Sequence, residues 1–478
     1  MTRAVVVGGG VSGLAAALRL HEAGLEVIVL EAGPRWGGKL APVRIGDLVL
    51  DGGAESLLAR RPEAVGLVEA LGLGGRRTTP TSASPRVLVE GEPRRLPPSL
   101  QGIPTDPAAL RPLLTPDAAA YAETETEREA PPLAHDVTIG SYVDERFGPE
   151  VTDRLLEPLL GGVYAGRSRA LSFEAVAPGL FAAAREGGSL AGHARAALRP
   201  GAGPVFAGLA GGVHRLVDAL VARLAGAGVE LRTATTATGL RRVGEGLVVT
   251  TSTGDVEADA VVLAVPAPAA SRLLAGLAHG LPPAPVVAEL AEVPYASVAV
   301  VTMLVRGLVP SDSGLLVPPG QLPTVKAITY SSTKWAWVAE RVHDAYGEDV
   351  TALRASVGRA GDVGVLQVDD ATLVRRTFAE TATLPGWERA ALLDAGVTRW
   401  GGGLPQYGLG HRPLVERLRL AVAEVPGVAV AGAYLDGVGV PACLASAESA
   451  AQKVVADLSG RIGARRPAGS TAGEAGAR

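Results

Sequence analysis

The chain has 478 residues, 47% hydrophobic and 20% charged, so it is long enough for two or three domains that each bury an apolar core. Its formal net charge of -4 excludes the broad basic face of a generic nucleic-acid-binding protein. The single cysteine, Cys443, excludes an internal disulfide, a cysteine-cluster zinc site and an iron–sulfur cluster held by this chain alone, and makes a reducing cytoplasm the expected compartment.

Metal and membrane signals are weak along the chain. The seven histidines are scattered, and no two have the spacing that places a ligand pair on one face of a helix or strand, so no metal site is predicted. The N-terminal apolar stretch is interrupted by glycines, unlike a signal peptide. No later run reaches the roughly 18 to 20 apolar residues of a membrane-spanning helix. We expect a soluble protein that at most lies on a membrane surface.

The first thirty residues predict a βαβ unit, with strands at 3–7 and 26–30 and a helix at 11–23. Between the first strand and the helix lies a G-x-G-x-x-G motif: Gly8, Gly9, Gly10, Val11, Ser12 and Gly13. Its glycines would permit a tight turn, the approach of a pyrophosphate, and close helix–strand packing. Glu31 ends the second strand, where a carboxylate can accept both ribose hydroxyls of an adenosine. The unit therefore predicts a dinucleotide site.

A second glycine motif follows Glu31. The sequence Ala32-Gly33-Pro34-Arg35-Trp36-Gly37-Gly38-Lys39 resembles the extended glycine-doublet signature of the glutathione-reductase-type and amine-oxidase-type flavoproteins. A second glycine pair would let another backbone segment approach the diphosphate, with Arg35 and Lys39 supplying positive charge beside it. The resemblance implies FAD rather than NAD.

The middle of the chain predicts further elements. Residues 80–132 are rich in proline and predict a loop-rich excursion, and 136–160 and 174–198 carry apolar residues at helical spacing. A helix and a strand are predicted within 211–240, paired strands within 245–265, and further strands at 295–303, 325–330 and 362–377. The last folded piece is a strand and a glycine-rich turn within 428–457, followed by a helix from about Pro441.

Four stretches make the resemblance narrower: 51–72, 157–173, 399–411 and 431–451. They look like the protoporphyrinogen and coproporphyrinogen oxidase family, within the flavin amine oxidase superfamily. The last stretch is the most specific, because general amine oxidases share the glycine motifs but not this ending. The 80–132 region matches the family poorly.

The resemblance implies both a fold and a set of FAD contacts. The expected fold class is α/β plus α+β, with a Rossmann-like FAD-binding domain (1–75, 205–268 and 398–458), a mixed-sheet substrate domain (76–100 and 269–397), an α-helical inserted domain (101–204) and a disordered tail (459–478). The implied FAD contacts are Gly8 to Gly13, Glu31, Ala32, Lys39, Gly53, Ala54, Glu55, Ser56, Ala237, Trp400, Val438, Gly439 and Val440. A helix N-terminus near Pro441 would also stabilise negative charge at the flavin pyrimidine edge.

No acid–base pair or nucleophile stands out, and an electron-rich porphyrinogen can give hydride to a flavin directly. Substrate carboxylates call for cations, so Arg60 and Arg61 are the leading substrate-binding candidates. Tyr164 and Lys326 are further candidates, with Lys334, Tyr407 and His411 behind them. Cys443 is predicted to be a buried small hydrophobe.

The sequence thus predicts an FAD-dependent, oxygen-using porphyrinogen oxidase of haem biosynthesis. Coproporphyrinogen III is the favoured substrate, because the arginine- and alanine-heavy composition resembles that of high-GC Gram-positive bacteria, whose family members generally act on it. Three alternatives stay open: a protoporphyrinogen IX oxidase, an amine oxidase or desaturase-type flavoenzyme, and a flavoprotein without turnover. Weak peripheral membrane contact and transient contact with the next haem-pathway enzyme also stay open.

Overall fold

The computed structural model describes residues 2–198, 203–277 and 284–464. In chain order the strands are β1 (Arg3–Val7), β2 (Glu26–Leu30), β3 (Pro42–Ile45), β4 (Leu48–Asp51), β5 (Leu57–Leu58), β6 (Arg77–Thr78), β7 (Arg86–Val89), β8 (Glu92–Arg95), β9 (Ser99–Leu100), β10 (Ile103–Pro104), β11 (Phe206–Leu209), β12 (Glu230–Arg232), β13 (Ala237–Val243), β14 (Gly246–Thr251), β15 (Gly254–Ala258), β16 (Ala260–Leu263), β17 (Tyr295–Arg306), β18 (Gly314–Leu316), β19 (Val325–Thr329), β20 (Val350–Val357), β21 (Ala391–Pro405) and β22 (Val428–Val430).

The α-helices are α1 (Val11–Glu22), α2 (Pro62–Ala70), α3 (Pro116–Glu123), α4 (Ile139–Phe147), α5 (Pro149–Val151), α6 (Glu157–Tyr164), α7 (Phe173–Val176), α8 (Pro178–Ala184), α9 (Leu190–Ala197), α10 (Arg215–Gly226), α11 (Ala267–Ala275), α12 (Ala284–Ala291), α13 (Ser331–Lys334), α14 (Ala336–Tyr346), α15 (Asp370–Thr381), α16 (His411–Ala423) and α17 (Val440–Ala464). No helix in the described part of the chain is long and apolar enough to cross a membrane.

A parallel five-stranded sheet contains strands from both ends of the chain. Its order is β12-β2-β1-β16-β22, and its central strands are buried, as expected for a parallel sheet covered on both faces. The predicted first βαβ unit is confirmed as β1, α1 and β2. Because parallel strands end at the same edge, the residues after β1, β2, β16 and β22 meet there. That edge is where ligands bind in open α/β sheets.

A mixed seven-stranded sheet forms the second layer, in the order β21-β17-β20-β19-β18-β7-β8. Its strands come from 86–95 and 295–405, and the predicted strands at 295–303 and 325–330 lie in β17 and β19. Strand β21 carries residues on both sides of position 397, the predicted end of the substrate domain. The sheet therefore brings residue 400 and its neighbours against β17.

The region between 101 and 198 is largely helical around its own apolar core, which includes Ile103, Phe147 and Phe173. The predicted helices in 136–160 and 174–198 are confirmed in α4 to α9. The 80–132 region is more ordered than predicted, because it contributes β7 and β8 to the large sheet. Its acidic run also supplies Glu125, a buried carboxylate that pairs with Arg146 at 3.0 Å and accepts a hydrogen bond from the Leu190 N–H.

Two sequence expectations differ from the structure. The strand predicted at 362–377 is wrong, since its first half contains a 3-10 turn at Gly364–Leu366 and its second half lies in α15. The Asp369 carboxylate caps this helix by accepting from the Thr372 N–H at 2.8 Å, and Leu373 packs into the core. At the C-terminus, α17 continues to Ala464, so the first residues of the predicted tail are helical. Positions 465–478 lie outside the described residues.

Candidate active site

The glycine loop after β1 forms an open cradle. Gly8 has a φ of +110°, and a Cβ there would overlap the carbonyl oxygen of Ala264. A Cβ on Gly13 would overlap the carbonyl oxygen of Gly8, so both glycines are required by strand–helix packing. Gly10 is different, because its φ of -72° suits any residue and no atom lies within 4 Å of the place a Cβ would occupy. The open space at Gly10 is where a ligand would approach.

The second glycine pair lies against this loop. The Gly37 N–H donates to the Gly9 carbonyl at 2.8 Å, and Gly10 and Gly37 form an isolated bridge. The Glu31 carboxylate accepts from the N–H groups of Gly9 and Gly33, both at 2.7 Å. Glu31 is therefore fixed at the carboxyl edge of the sheet, beside the cradle.

The adenine end of the predicted site lies next to Glu31. The turn before β13 is hydrogen-bonded to the segment that follows β2. The Thr235 N–H donates to the Glu31 carbonyl at 2.8 Å, and the Ala234 N–H donates to the Gly33 carbonyl at 2.8 Å. Ala237 begins β13 directly after this turn, and Ala32 is exposed beside it. The structure thus brings Ala237 and Ala32 near the Glu31 carboxylate.

The N-termini of two helices, α1 and α17, border the opposite end of the cradle. Val438 and Gly439 immediately precede α17, which begins at Val440 and packs against α1. Burial raises the pKa of the Cys443 thiol in the first turn of α17, while nearby Ser12 and Lys39 lower it. Burial also lowers the pKa of Lys39, although water still reaches its side chain. That combination is expected of a cation lining a cleft, and the space bordered by the glycine loop, Lys39 and the first turn of α17 is here called the cofactor cleft.

The 53–56 segment closes the cleft from the side of the large sheet. The Ala54 N–H donates to the Lys39 carbonyl at 3.2 Å, and a Cβ on Gly53 would overlap that carbonyl oxygen. The Trp400 indole N–H donates to the Gly52 carbonyl at 3.2 Å. Ser56 is half-buried in the same segment. Trp400 thus ties the large sheet to the segment that resembles a flavin contact.

The Glu55 side chain forms two ion pairs that were not predicted from the sequence. Its carboxylate pairs with Lys334 at 2.5 Å and with Arg354 at 3.0 Å, and the Arg354 guanidinium also donates to the Gly53 carbonyl. Burial alone would raise the pKa of Glu55, but the two cations outweigh it and hold the pKa at about 2. In the sequence, the signal for these ion pairs is that Lys334 and Arg354 are charged residues in otherwise uncharged stretches.

The predicted substrate-binding residues fall into two places. Arg60 and Arg61 lie at the exposed start of α2, where Arg60 donates to the Gly203 carbonyl at 3.0 Å and Arg61 pairs with Glu63 at 2.5 Å. Tyr164 and Lys326 are instead buried, in α6 and β19, which pack against each other. The structure does not bring the two sets into contact.

The buried set includes groups with shifted titration. Burial raises the pKa of Tyr164 to about 12, and burial lowers the pKa of His411 to about 4. The Tyr164 ring meets Tyr407 edge-on, with centroids 5.5 Å apart. Burial, aided by the charge of Arg359, lowers the pKa of Lys326 to about 7. Sequence reasoning missed Arg359, which looks like an ordinary loop cation.

These residues fit FAD. The cradle leaves room at Gly10 for a diphosphate, Glu31 stands where a ribose would lie, and Lys39 lines the cleft between them and α17. The positive end of the α17 dipole points at the far end of the same cleft. Within the described residues no group of three His, Cys, Asp or Glu side chains could hold a metal ion.

Comparison with known proteins agrees with this geometry. The model of the flavin containing amine oxidoreductase family matches residues 11–455. The chain is 37% identical to the coproporphyrinogen III oxidase of Mycobacterium tuberculosis, over 96% of this chain and 98% of that protein. It is 30% identical to the protoporphyrinogen oxidase of Bos taurus, over 94% and 98%.

Among solved structures, a chain from Exiguobacterium sp. assigned as a protoporphyrinogen oxidase is 30% identical, with a TM-score of 0.82 over 95% of this chain and 99% of that one. The chain thus belongs to the flavin-containing amine oxidoreductase family, and it is an FAD-dependent oxidoreductase.

Proposed function

We propose that this enzyme oxidises coproporphyrinogen III to coproporphyrin III in haem biosynthesis. Three molecules of O2 would accept the six electrons and six protons removed, giving three molecules of H2O2. The observation that carries the proposal is the match to coproporphyrinogen III oxidases over nearly the whole of both chains, including 28% identity to the enzyme of Bacillus subtilis over 96% of its length. Both layers of the fold and the cleft between them lie within that match.

The residues of the chain divide the work. When bound, FAD would supply the hydride acceptor. The chain itself would bind, orient and enclose FAD and the substrate. The residues of the parallel-sheet edge, Gly8 to Gly13, Glu31, Ala32 and Ala237, would hold the adenosine diphosphate. Lys39, Gly53 to Ser56, Trp400 and Val438 to Val440 would surround the other end, and the large sheet would face the substrate. Catalysis would then rest mainly on positioning, since the shifted pKa values of about 12 and about 4 favour neutral Tyr164 and neutral His411 near pH 7.

Parallel aerobic assays with the two porphyrinogens test the proposal. We expect coproporphyrin fluorescence and stoichiometric H2O2, with kcat/KM at least about tenfold higher for coproporphyrinogen III than for protoporphyrinogen IX, because a vinyl group leaves a propionate-binding cation without a partner. Faster turnover of protoporphyrinogen IX would reverse the substrate assignment. Oxidation of amines but of neither porphyrinogen would favour the amine oxidase alternative.

A separate measurement addresses the alternative of a flavoprotein without turnover. Under anaerobic conditions coproporphyrinogen III should bleach the bound flavin, since electrons then have no further acceptor. Readmitting O2 should restore the yellow colour. A flavin that keeps its absorbance with both porphyrinogens would contradict an oxidase role. Vesicle co-sedimentation tests for peripheral membrane contact, and a pull-down tests for contact with the next haem-pathway enzyme.

Replacing Glu31 with alanine should weaken FAD binding by about 10- to 150-fold, or roughly 1.5 to 3 kcal/mol, because a charge-assisted bond to the ribose is lost. Two backbone N–H groups, of Gly9 and Gly33, also lose their acceptor. The dissociation constant can be measured by titrating apoprotein with FAD. Glu26→Ala is the matched control, because Glu26 lies at the other end of β2 in an exposed pair with Arg3. Equal dissociation constants for both variants would count against the ribose assignment.

A further inference from the structure

Lys326 is a buried lysine without an ion-pair partner. Lys326 is 5% exposed, and no carboxylate among the described residues forms an ion pair with it. It lies at a register shift between Val325 and Ala327 in the pairing of β19 with β20, an irregularity that re-aims a side chain. Burying an unpaired ammonium is costly. A fold that retains one has a candidate ligand-binding group at that place.

Two further cations lie beside Lys326. The Arg359 guanidinium donates to the Val317 carbonyl at 2.8 Å, and the Val317 N–H donates to the backbone carbonyl of Lys326 at 3.0 Å, so Val317 places the Arg359 guanidinium beside the backbone of Lys326. Arg167 follows α6, the helix that packs against β19. Burial lowers the pKa of Arg359, and the charge of Arg167 lowers it further. Arg359 thus acts electrostatically on Lys326 and Arg167 acts on Arg359, so each of the three cations lies near at least one of the others.

The carboxylates of this region do not balance the cations. Glu157 accepts the Ser168 N–H at 2.6 Å and lies 3.9 Å from the Arg167 guanidinium. Asp362 follows Arg359 in the same loop and acts on it electrostatically. Neither acts on Lys326, whose pKa is shifted only by burial and by Arg359. The described carboxylates of this region therefore leave Lys326 without a negative partner.

The region also adjoins the cofactor cleft. The Ala360 N–H donates to the Ala165 carbonyl at 2.7 Å, and both alanines belong to a small apolar cluster with Trp400. Trp400 in turn contacts the Gly52 carbonyl, next to the proposed flavin segment. Arg359 is one residue from this cluster and Arg167 is two residues from it. By contrast, the exposed Arg60 and Arg61 have partners of their own.

We propose that Lys326, Arg359 and Arg167 form a pocket for one propionate of the tetrapyrrole, in which Lys326 selects a propionate over a vinyl group. This inference rests on the proposed function and names the residues that set its specificity. A propionate would supply the missing negative charge at Lys326. A vinyl group would leave Lys326 without an anionic partner, so the substrate would gain no charge-assisted bond there and the amine would stay partly deprotonated near pH 7.

The test compares both porphyrinogens on the FAD-loaded enzyme and its Lys326→Met variant. Methionine matches the length of lysine without its charge, so the variant should keep its fold and its FAD content. We expect kcat/KM for coproporphyrinogen III to fall about tenfold or more, and kcat/KM for protoporphyrinogen IX to stay the same or rise. Lys326→Arg should retain the preference for coproporphyrinogen III. Arg359→Met should shift the ratio in the same direction as Lys326→Met.

The control removes a cation elsewhere on the same sheet. Arg306 ends β17 in an exposed pair with Asp349 at 3.2 Å, and Arg306→Met should leave the substrate ratio unchanged. A wild-type enzyme that does not oxidise coproporphyrinogen III would overturn the proposed function itself. A wild-type enzyme that prefers coproporphyrinogen III, with a ratio that Lys326→Met does not change, would overturn only the pocket. Equal losses with both substrates would also contradict it, since selection requires the two to differ.

Discussion

A Gly10→Val variant is expected to fold normally and to lose FAD binding by at least about 100-fold. The backbone at Gly10 is extended, with φ -72° and ψ 176°, and a Cβ there would contact no protein atom. The branched side chain would instead occupy the space in which the diphosphate approaches the loop. The protein tolerates the change while the cofactor does not. Flavin content after purification and titration of apoprotein with FAD measure the loss.

The neighbouring glycines show why this position is informative. Valine at Gly13 would collide with the Gly8 carbonyl and damage the fold along with the site. Gly66 provides the matched control, because it is exposed in α2 and a Cβ there meets no atom within 4 Å. Gly66→Val should therefore retain full flavin content. Full flavin content in Gly10→Val would overturn the assignment of the cradle, whereas a misfolded variant would contradict the open space seen at Gly10.

Local sequence patterns predicted the first layer of this fold well. The βαβ unit and the glycine motif depend on short-range periodicity and on backbone geometry within a few residues, which a sequence displays directly. The 362–377 error has a local cause too. The β-branched residues Val363, Val365 and Val368 favour a strand, and the Asp369 cap, which starts a helix, was the competing signal.

Long-range pairing is what the sequence did not display. Glu55 meets Lys334 and Arg354 only because the large sheet folds back over the 53–56 segment, about 280 to 300 residues away in the chain. Lys326 appeared as a minor candidate, and its isolation from carboxylates became visible only when β19, β20 and α6 were placed together. Charged residues inside apolar strands, such as Arg354 in β20, were the available clue to such sites.

The Glu55 triad leads to the second large effect, on stability. Glu55→Gln should destabilise the apoprotein by about 3 to 5 kcal/mol at pH 7, because it leaves Lys334 and Arg354 buried without their anionic partner. The side chains of all three are at most 19% exposed, so solvent screening is weak. Arg354 also holds the Gly53 carbonyl, so the variant should bind FAD less tightly as well. Urea unfolding of the apoprotein gives the first quantity and FAD titration the second.

The destabilisation caused by Glu55→Gln should change with pH in a predictable direction. The pKa of Glu55 is about 2 in the folded protein, below the usual value, so its stabilising contribution is complete above about pH 4.5 and is lost as the pH falls toward 2. The difference in unfolding free energy between wild type and Glu55→Gln should therefore stay constant between pH 7 and about 5, and narrow as the pH is lowered from about 4.5 toward 2. Glu230→Gln removes a carboxylate from an exposed pair with Arg232 and should cost less than about 1 kcal/mol. If Glu55→Gln proved no more costly than this control at pH 7, the triad would not be what fastens the 53–56 segment to the large sheet.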